Sequence, residues 1–382
     1  MTDRCPGLVR PYLSADGALV RLRVPGGQVR AAALAGLGAL AEQYGDGLVQ
    51  ITSRANLQLR GIALTDGAVD RGLAAGIEDL GLNPAPSHEL VRNIAASPLS
   101  GLAGGVRDIR RLIGELDRGL ISRPCLAELP GRFLFAVDDG RGDQEGFDLG
   151  LVADGDGVRV LVGDFIGGVY SDEDGVRRLL DLAEEFLVRR GSAWRVRELP
   201  EQGLELGERL ERRTRPASAG LEVGVHGSAL VVMPRLGRLA RQQIELLAGR
   251  AGRGAIGGRA ERGATGGRAG RGTSPVIETT TAGRLVLTPG RQIVIPDGAP
   301  YAAELAAVGL ESDPASPWTL ITACAGAAGC ANGQFATYPA AAHVAQQIGE
   351  GEYADALPIH VAACDRLCGV PRGPHHLVTS AR

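Results

Sequence analysis

Four of the six cysteines in this sequence fall into two close pairs. Cys324 and Cys330 bracket five residues in TACAGAAGCANG, and Cys364 and Cys368 bracket three in HVAACDRLCGVPRG. Two such pairs in one region can serve as a zinc clip, as two disulfides, or as the ligands of an iron–sulfur cube. Zinc knuckles usually place their cysteines about two to four residues apart, so the upstream gap fits zinc poorly. Four thiolates in two pairs suit a cluster. Gly326, Gly329, Gly333 and Gly369 flank the pairs, which predicts backbone N–H groups close to the sulfurs. The opening MTDRCPGLVRPYL has no apolar signal core, so a cytoplasmic location is expected, where thiols stay reduced. Cys125 is expected to pack in a core, and Cys5 is either a ligand or a buried thiol.

The rest of the composition narrows the chemistry. No lysine occurs, so all 41 basic residues are arginine. Schiff-base catalysis and the lysine-bearing phosphate loop are therefore excluded. Any anion site must use guanidinium forks, which match carboxylates at two points. A formal net charge of −3 argues against general attraction to nucleic acid or anionic membrane. No apolar run reaches the roughly 18–20 residues of a spanning helix. No G-x-G-x-x-G stands between a strand and a helix, so a separate electron donor, a ferredoxin or reductase, is expected.

Hydrophobic periodicity outlines the elements that must position these groups. Strands are predicted at 17–27 and 47–62, with a helix over 29–45 between them and another ending near 79–82. The order returns as a strand at 228–237, a helix at 238–249 and a strand at 284–298. Aligning Thr52 with Thr288 and Ile94 with Ile321 puts Ser97 opposite Cys324 and Arg54 opposite Gly290, with Arg291 next door. This predicts an internal duplication in which only the second copy carries the cysteine pairs. Between the copies, strands are expected at 127–140 and 148–165, the second turning at 154–157. A helix over 171–191 follows, with Ser171 or Asp172 as its cap. The class is α+β. Four units are expected: half-domains at 1–70 and 216–300, and α/β domains at 71–215 and 301–382. Residues 249–272 hold ten glycines, six arginines and no aromatic, and the stretch to 275 is predicted to be a surface insertion rather than an RNA-binding tail.

These motifs together resemble the nitrite and sulfite reductase superfamily. Its cluster segment has the C-x5-C … C-x3-C arrangement, and TSRANLQLRG matches its T-x-R-x-x-x-Q-x-x-G signature through Thr52, Arg54, Gln58 and Gly61. RNIAASPLSG at 92–101 corresponds to a third motif. Within the superfamily the sequence is most similar to the precorrin-3B synthase family of aerobic cobalamin biosynthesis, through CPG at 5–7, SRANLQLRG and LTPGRQIVIPDG. The resemblance implies a duplicated fold of ferredoxin-like half-domains and two cluster-type α/β domains. It implies a 4Fe-4S cluster on Cys324, Cys330, Cys364 and Cys368, with Cys368 facing a tetrapyrrole. Carboxylate arms would meet Arg54, Gln58, Arg92 and Arg132, and Arg291 is a further candidate clamp. The family's second basic position after Leu-Pro falls on Leu134, a departure from siroheme binders. The implied reaction is a monooxygenation of precorrin-3A by dioxygen with lactone closure. A second, mononuclear iron is expected, for which His360, His375 and His376 are candidate ligands. The rival reading is a siroheme-dependent nitrite or sulfite reductase. Asn93 is expected to order its loop, and catalytic residues are not assigned.

Overall fold

The computed structural model describes all residues except 1–4, 201–209, 214–219, 252–282, 354, 356, 372 and 381–382. The first half begins with β1 (Tyr12–Ser14), β2 (Gly17–Leu22), β3 (Gln28–Arg30), α1 (Ala31–Tyr44), β4 (Leu48–Ile51) and β5 (Leu57–Ile62). A small hairpin, β6 (Leu64–Thr65) and β7 (Ala68–Val69), leads to α2 (Arg71–Asp79). An α/β unit follows: β8 (Ile94–Ala96), α3 (Arg110–Ile121), β9 (Phe135–Asp138), β10 (Leu149–Asp154), β11 (Gly157–Val162), β12 (Phe165–Tyr170), α4 (Asp172–Arg189) and β13 (Glu211–Arg212). The second half repeats the plan with β14 (Gly224–His226), β15 (Ala229–Pro234), β16 (Arg238–Ala240), α5 (Arg241–Ala251), β17 (Arg284–Leu287) and β18 (Ile293–Ile295). It ends with α6 (Ala302–Ala307), β19 (Leu310–Glu311), β20 (Ile321–Ala323), α7 (Gly326–Gly329), α8 (Thr337–Gly349), β21 (Ile359–Val361) and β22 (His376–Val378).

The duplication is written in the sheet orders. One sheet runs β1-β2-β5-β4-β16 and the other β14-β15-β18-β17-β3. Each half thus lends the other its outermost strand, with Leu239 opposite Val49 and Leu285 opposite Val29. The loans require tight turns at Pro25–Gly27 and Arg235–Gly237. Gly27 has φ 68°, and a Cβ there would stand 2.0 Å from the Leu287 carbonyl oxygen, so only glycine fits. Leu34 and Leu37 of α1, Ile244 and Leu247 of α5, and the inward residues of both sheets share one core.

Several expectations change here. Residues 47–62 and 284–298 are each two strands, broken by turns at Thr52–Asn56 and Thr288–Gln292. The helices predicted from 29 and 238 start at Ala31 and Arg241, because the residues before them form the exchanged strands. Within 127–140 only Phe135–Asp138 is strand, and Pro124–Glu128 forms a 3-10 turn. That turn leaves Cys125 exposed, its Sγ donating to Glu184 Oε1 at 3.4 Å, rather than in a core. The hairpin at 154–157 and the Ser171 cap on Asp174 N are as predicted. Most of the 249–272 insertion lies outside the described residues. No helix among the described residues is long and apolar enough to cross a membrane.

Candidate functional site

The cysteines sit where parallel strands end. β20 pairs in parallel with β21, Ala323 opposite Val361, and Cys324 follows directly with its N–H on the Val361 carbonyl at 3.0 Å. Cys364 lies three residues beyond β21, at the same end of the sheet. The first half repeats this geometry: β8 pairs with β9, Ala96 opposite Val137, and Ser97 N donates to Val137 O at 3.1 Å. Asp139 N bonds Ser97 Oγ at 3.1 Å, as Ala363 N bonds Cys324 Sγ at 3.3 Å. Ser97 therefore occupies the place of Cys324, as the sequence alignment had it. In the first half the loop is closed by carboxylates. Ser97 donates to Asp143 at 2.6 Å, and buried Asp139 holds Arg141.

Of the glycines flanking the cysteines, three act through close packing. A Cβ on Gly333 would stand 2.4 Å from the Gly326 carbonyl carbon, one on Gly326 2.7 Å from Thr337 Oγ1, and one on Gly329 2.7 Å from Arg60 Nη2. The bonds to sulfur come from Ala363 N and, at 3.9 Å, from Asn332 Nδ2 on Cys330. Cys368 is exposed, and its thiol is pushed up by burial and then by Cys364, Cys324 and Cys330. Among the described residues no three histidine, cysteine, aspartate or glutamate side chains converge as ligands of a single metal ion.

The cysteine loops lie against the first half's sheet. Arg60 on β5 holds Asp16 at 2.8 and 3.0 Å and also donates to the Gly329 carbonyl, which Ser14 Oγ reaches at 2.7 Å. On the same sheet, Arg21 is paired with Gln58, and Gln50 with Gln58. Arg21 Nη2 donates to Gln58 Oε1 at 2.8 Å, and Gln58 Nε2 to Gln50 Oε1 at 3.1 Å. Burial pulls the Arg21 and Arg54 guanidiniums down from their ordinary pKa and brings Arg23 to about 10. The corresponding positions of the second half, Val231, Val294 and Val286, are all valine. That face is packed by Leu99, Leu102 and Ala103 from the loop after β8. The duplicated chain therefore has one polar face under the cysteine loops, and its counterpart is filled with apolar side chains.

The remaining sequence candidates are scattered around this face. Arg54 is half-buried and reaches the Gly131 carbonyl at 3.4 Å. Arg92 is committed to Asp117 through two bonds of 2.8 and 2.7 Å. Arg132 is exposed and stacks over Trp194 at 5.6 Å. Arg291 takes the left-handed φ of 62° that Ala55 takes in the first half. Its guanidinium approaches Gly369, and burial pulls its pKa down. His360 is fully buried, with Nδ1 on Thr322 Oγ1 at 2.9 Å. Burial and then Arg291 bring it to about 4, so it is neutral at physiological pH. His376 lies between the Asp355 oxygens, each 2.9 Å away, and His375 bonds the Gly373 carbonyl. Asn93 orders its loop by bonding Leu90 O, Gly131 O and Asn56. Sequence reasoning missed Arg21, Arg23 and Gln50. The signal for the arginines was present in ALVRLRV, where they alternate with the core residues Val20, Leu22 and Val24.

Comparisons with known proteins agree with this architecture. The nitrite/sulfite reductase ferredoxin-like half domain matches residues 12–68. A precorrin-3B synthase from Sinorhizobium sp is 27% identical over 399 residues, covering 96% of this chain and 78% of that protein. Ferredoxin–nitrite reductases from Synechococcus elongatus and Leptolyngbya laminosa are 34% and 32% identical over 131 and 161 residues, covering 25% and 31% of their own lengths. The NirA protein of Mycobacterium tuberculosis shares the fold at 20% identity with a TM-score of 0.64, over 94% of this chain and 73% of that one. The chain thus carries a nitrite/sulfite reductase ferredoxin-like half domain, is similar over nearly its whole length to a precorrin-3B synthase, and shares the fold of a NirA protein.

Proposed function

We propose that this protein is a precorrin-3B synthase-like oxidoreductase, a monooxygenase that hydroxylates a meso carbon of precorrin-3A with dioxygen and closes an acetate arm as a lactone. The observation that carries this reading is the single polar face of Arg21, Gln50 and Gln58, with Arg54 at its margin, set beneath the cysteine loops. Precorrin-3A is a macrocycle with several carboxylate arms. Guanidinium forks can fix such arms and so orient one meso carbon. In this reading Cys324, Cys330, Cys364 and Cys368 hold a 4Fe-4S cluster, with Cys368 at its edge toward the macrocycle. When bound, such a cluster supplies electrons one at a time, drawn from a ferredoxin or reductase. Arg60 ties the cysteine loop to the sheet, which keeps its spacing from the bound substrate. Arg92 is assigned a positioning role through Asp117, and Arg132 and Arg291 are candidate contacts at the rim. His360, buried and bonded to Thr322, is proposed to support the cysteine loop, which leaves His375 as a candidate for a mononuclear iron.

The alternative, a siroheme-dependent nitrite or sulfite reductase, is supported by the partial likeness to ferredoxin–nitrite reductases. Leu134 counts against it: where siroheme binders carry a second basic residue, this leucine is buried against Ala95 and Phe147. Substrate binding tests the proposal. Arg21→Gln should weaken precorrin-3A binding about tenfold, the loss expected for a charged hydrogen-bond pair. An unchanged affinity would place the substrate elsewhere.

A further inference from the structure

A cleft of about 80 Å³ lies where the two halves exchange strands, beside β3 at the edge of the second half's sheet. Its polar wall is Arg23, Gln28, Arg30, Arg92, Asp117 and Arg284, and none of Gln50, Gln58 or the cysteines lines it. Strand register explains the crowding of arginines. Val29 and Leu285 pair within the core, which turns their neighbours Arg30 and Arg284, themselves directly paired, to the other side. Like charges directly opposite across a strand pair destabilise it. Arg30 Nη2 donates to the Leu80 carbonyl at 3.0 Å and Arg284 Nη1 to Gln28 Oε1 at 2.8 Å, and neither bond brings a negative charge. Arg23 is only 4% exposed and donates through Nη1 to the Pro6 and Arg21 carbonyls. Its Nε has no hydrogen-bond partner among the described residues. Asp117 is the one carboxylate among the described residues of this wall, and Arg92 takes both its oxygens, at 2.8 and 2.7 Å. Four guanidiniums thus meet a single carboxylate that is already engaged.

We propose that this cleft binds a small oxyanion of phosphate size, held by Arg23, Arg30 and Arg284. Such an anion supplies the acceptor that the buried Arg23 N–H lacks and the counter-charge that the opposed strand arginines lack. The space suits it, since 80 Å³ exceeds the share of two liquid waters, about 30 Å³ each. Bound there, the anion ties the exchanged pair β3–β17 to the turn after β2 and so braces the junction of the halves. The inference does not depend on the tetrapyrrole reading.

The test is calorimetric titration of the full-length protein, purified in chloride buffer, with inorganic phosphate at constant ionic strength. One site per chain is expected, with a melting temperature that rises and saturates over the same phosphate range. Arg30→Gln and Arg284→Gln should each weaken phosphate about tenfold, the loss expected for a charged hydrogen bond. Arg30 is exposed, so its variant keeps the test alive if Arg284→Gln fails to fold. Arg111→Gln, an exposed α3 position outside the cleft, should bind phosphate like the parent. Uroporphyrin III, a tetrapyrrole with eight carboxylates, should leave phosphate affinity unchanged when added first. Absence of saturable heat overturns the inference, and so does an unchanged affinity in the Arg30 and Arg284 variants. A melting temperature that climbs without saturating, equally in every variant, is general salt exclusion and also overturns it. Competition by the porphyrin would make the cleft part of the tetrapyrrole site and end the claim to a separate one.

Discussion

Arginine does different work at different positions of this chain, and its partners decide which. Arg92 and Asp117 are both buried and fully engaged with each other, so they act as a structural unit. Removing one member of such a pair strands a charge, and Asp117→Ala is expected to cost about 3–5 kcal/mol in denaturant unfolding. Asp143 gives a pH signature. Burial raises its pKa despite the Ser97 and Gln144 hydrogen bonds. A carboxylate with a raised folded pKa stabilises below its unfolded value and loses that contribution as pH rises through the folded one. Asp143→Asn should therefore lose less stability than the parent as pH climbs from the ordinary carboxylate range toward neutrality, measured by unfolding across that window. At this scale the sequence was partly legible. The cysteine pairs and the Ser97–Cys324 correspondence follow from spacing, and the structure shows the latter bond for bond. The roles of Arg92 and Cys125 did not follow, because Asp117 and Glu184 lie 25 and 59 residues away and leave no local trace.

Among the elements, the exchanged strands hold the two halves together. β3 and β16 are three residues long and pair with strands from the opposite half, so no periodicity in their own neighbourhood announces them. The turn at Thr52–Asn56 was equally silent, since Ala55 rather than glycine takes its left-handed φ of 56°. Gly27 is where this arrangement is most constrained. Gly27→Ala should destabilise the fold by about 1–3 kcal/mol or more, and proteolysis should report loosening of both sheets. The insertion after α5 makes the opposite case. Gly283 N donates to Ala251 O at 3.0 Å, so the ends of the segment meet. Replacing residues 252–282 with a short glycine linker should leave the melting temperature and metal content unchanged. A large drop would give the segment a structural role that its composition does not predict.

Duplication followed by divergence explains why, among the described residues, one such polar face lies at the cysteine loops and its counterpart is apolar. The arginine–glutamine face and the cysteines come from opposite halves, and the strand exchange brings them together. In the other combination, valines meet Leu99 and Leu102, and the loop is closed by aspartates. The overall plan could be predicted because motifs recur in order along the chain. Which half's sheet would face which half's loops could not, because that depends on packing between segments hundreds of residues apart. The most direct test is anaerobic purification, followed by iron, sulfide and pigment analysis and by EPR with and without precorrin-3A. The account predicts about four or more irons with sulfide per chain, no stoichiometric siroheme, and a spectrum that changes when precorrin-3A is added. Stoichiometric siroheme with a spectrum indifferent to precorrin-3A would contradict it.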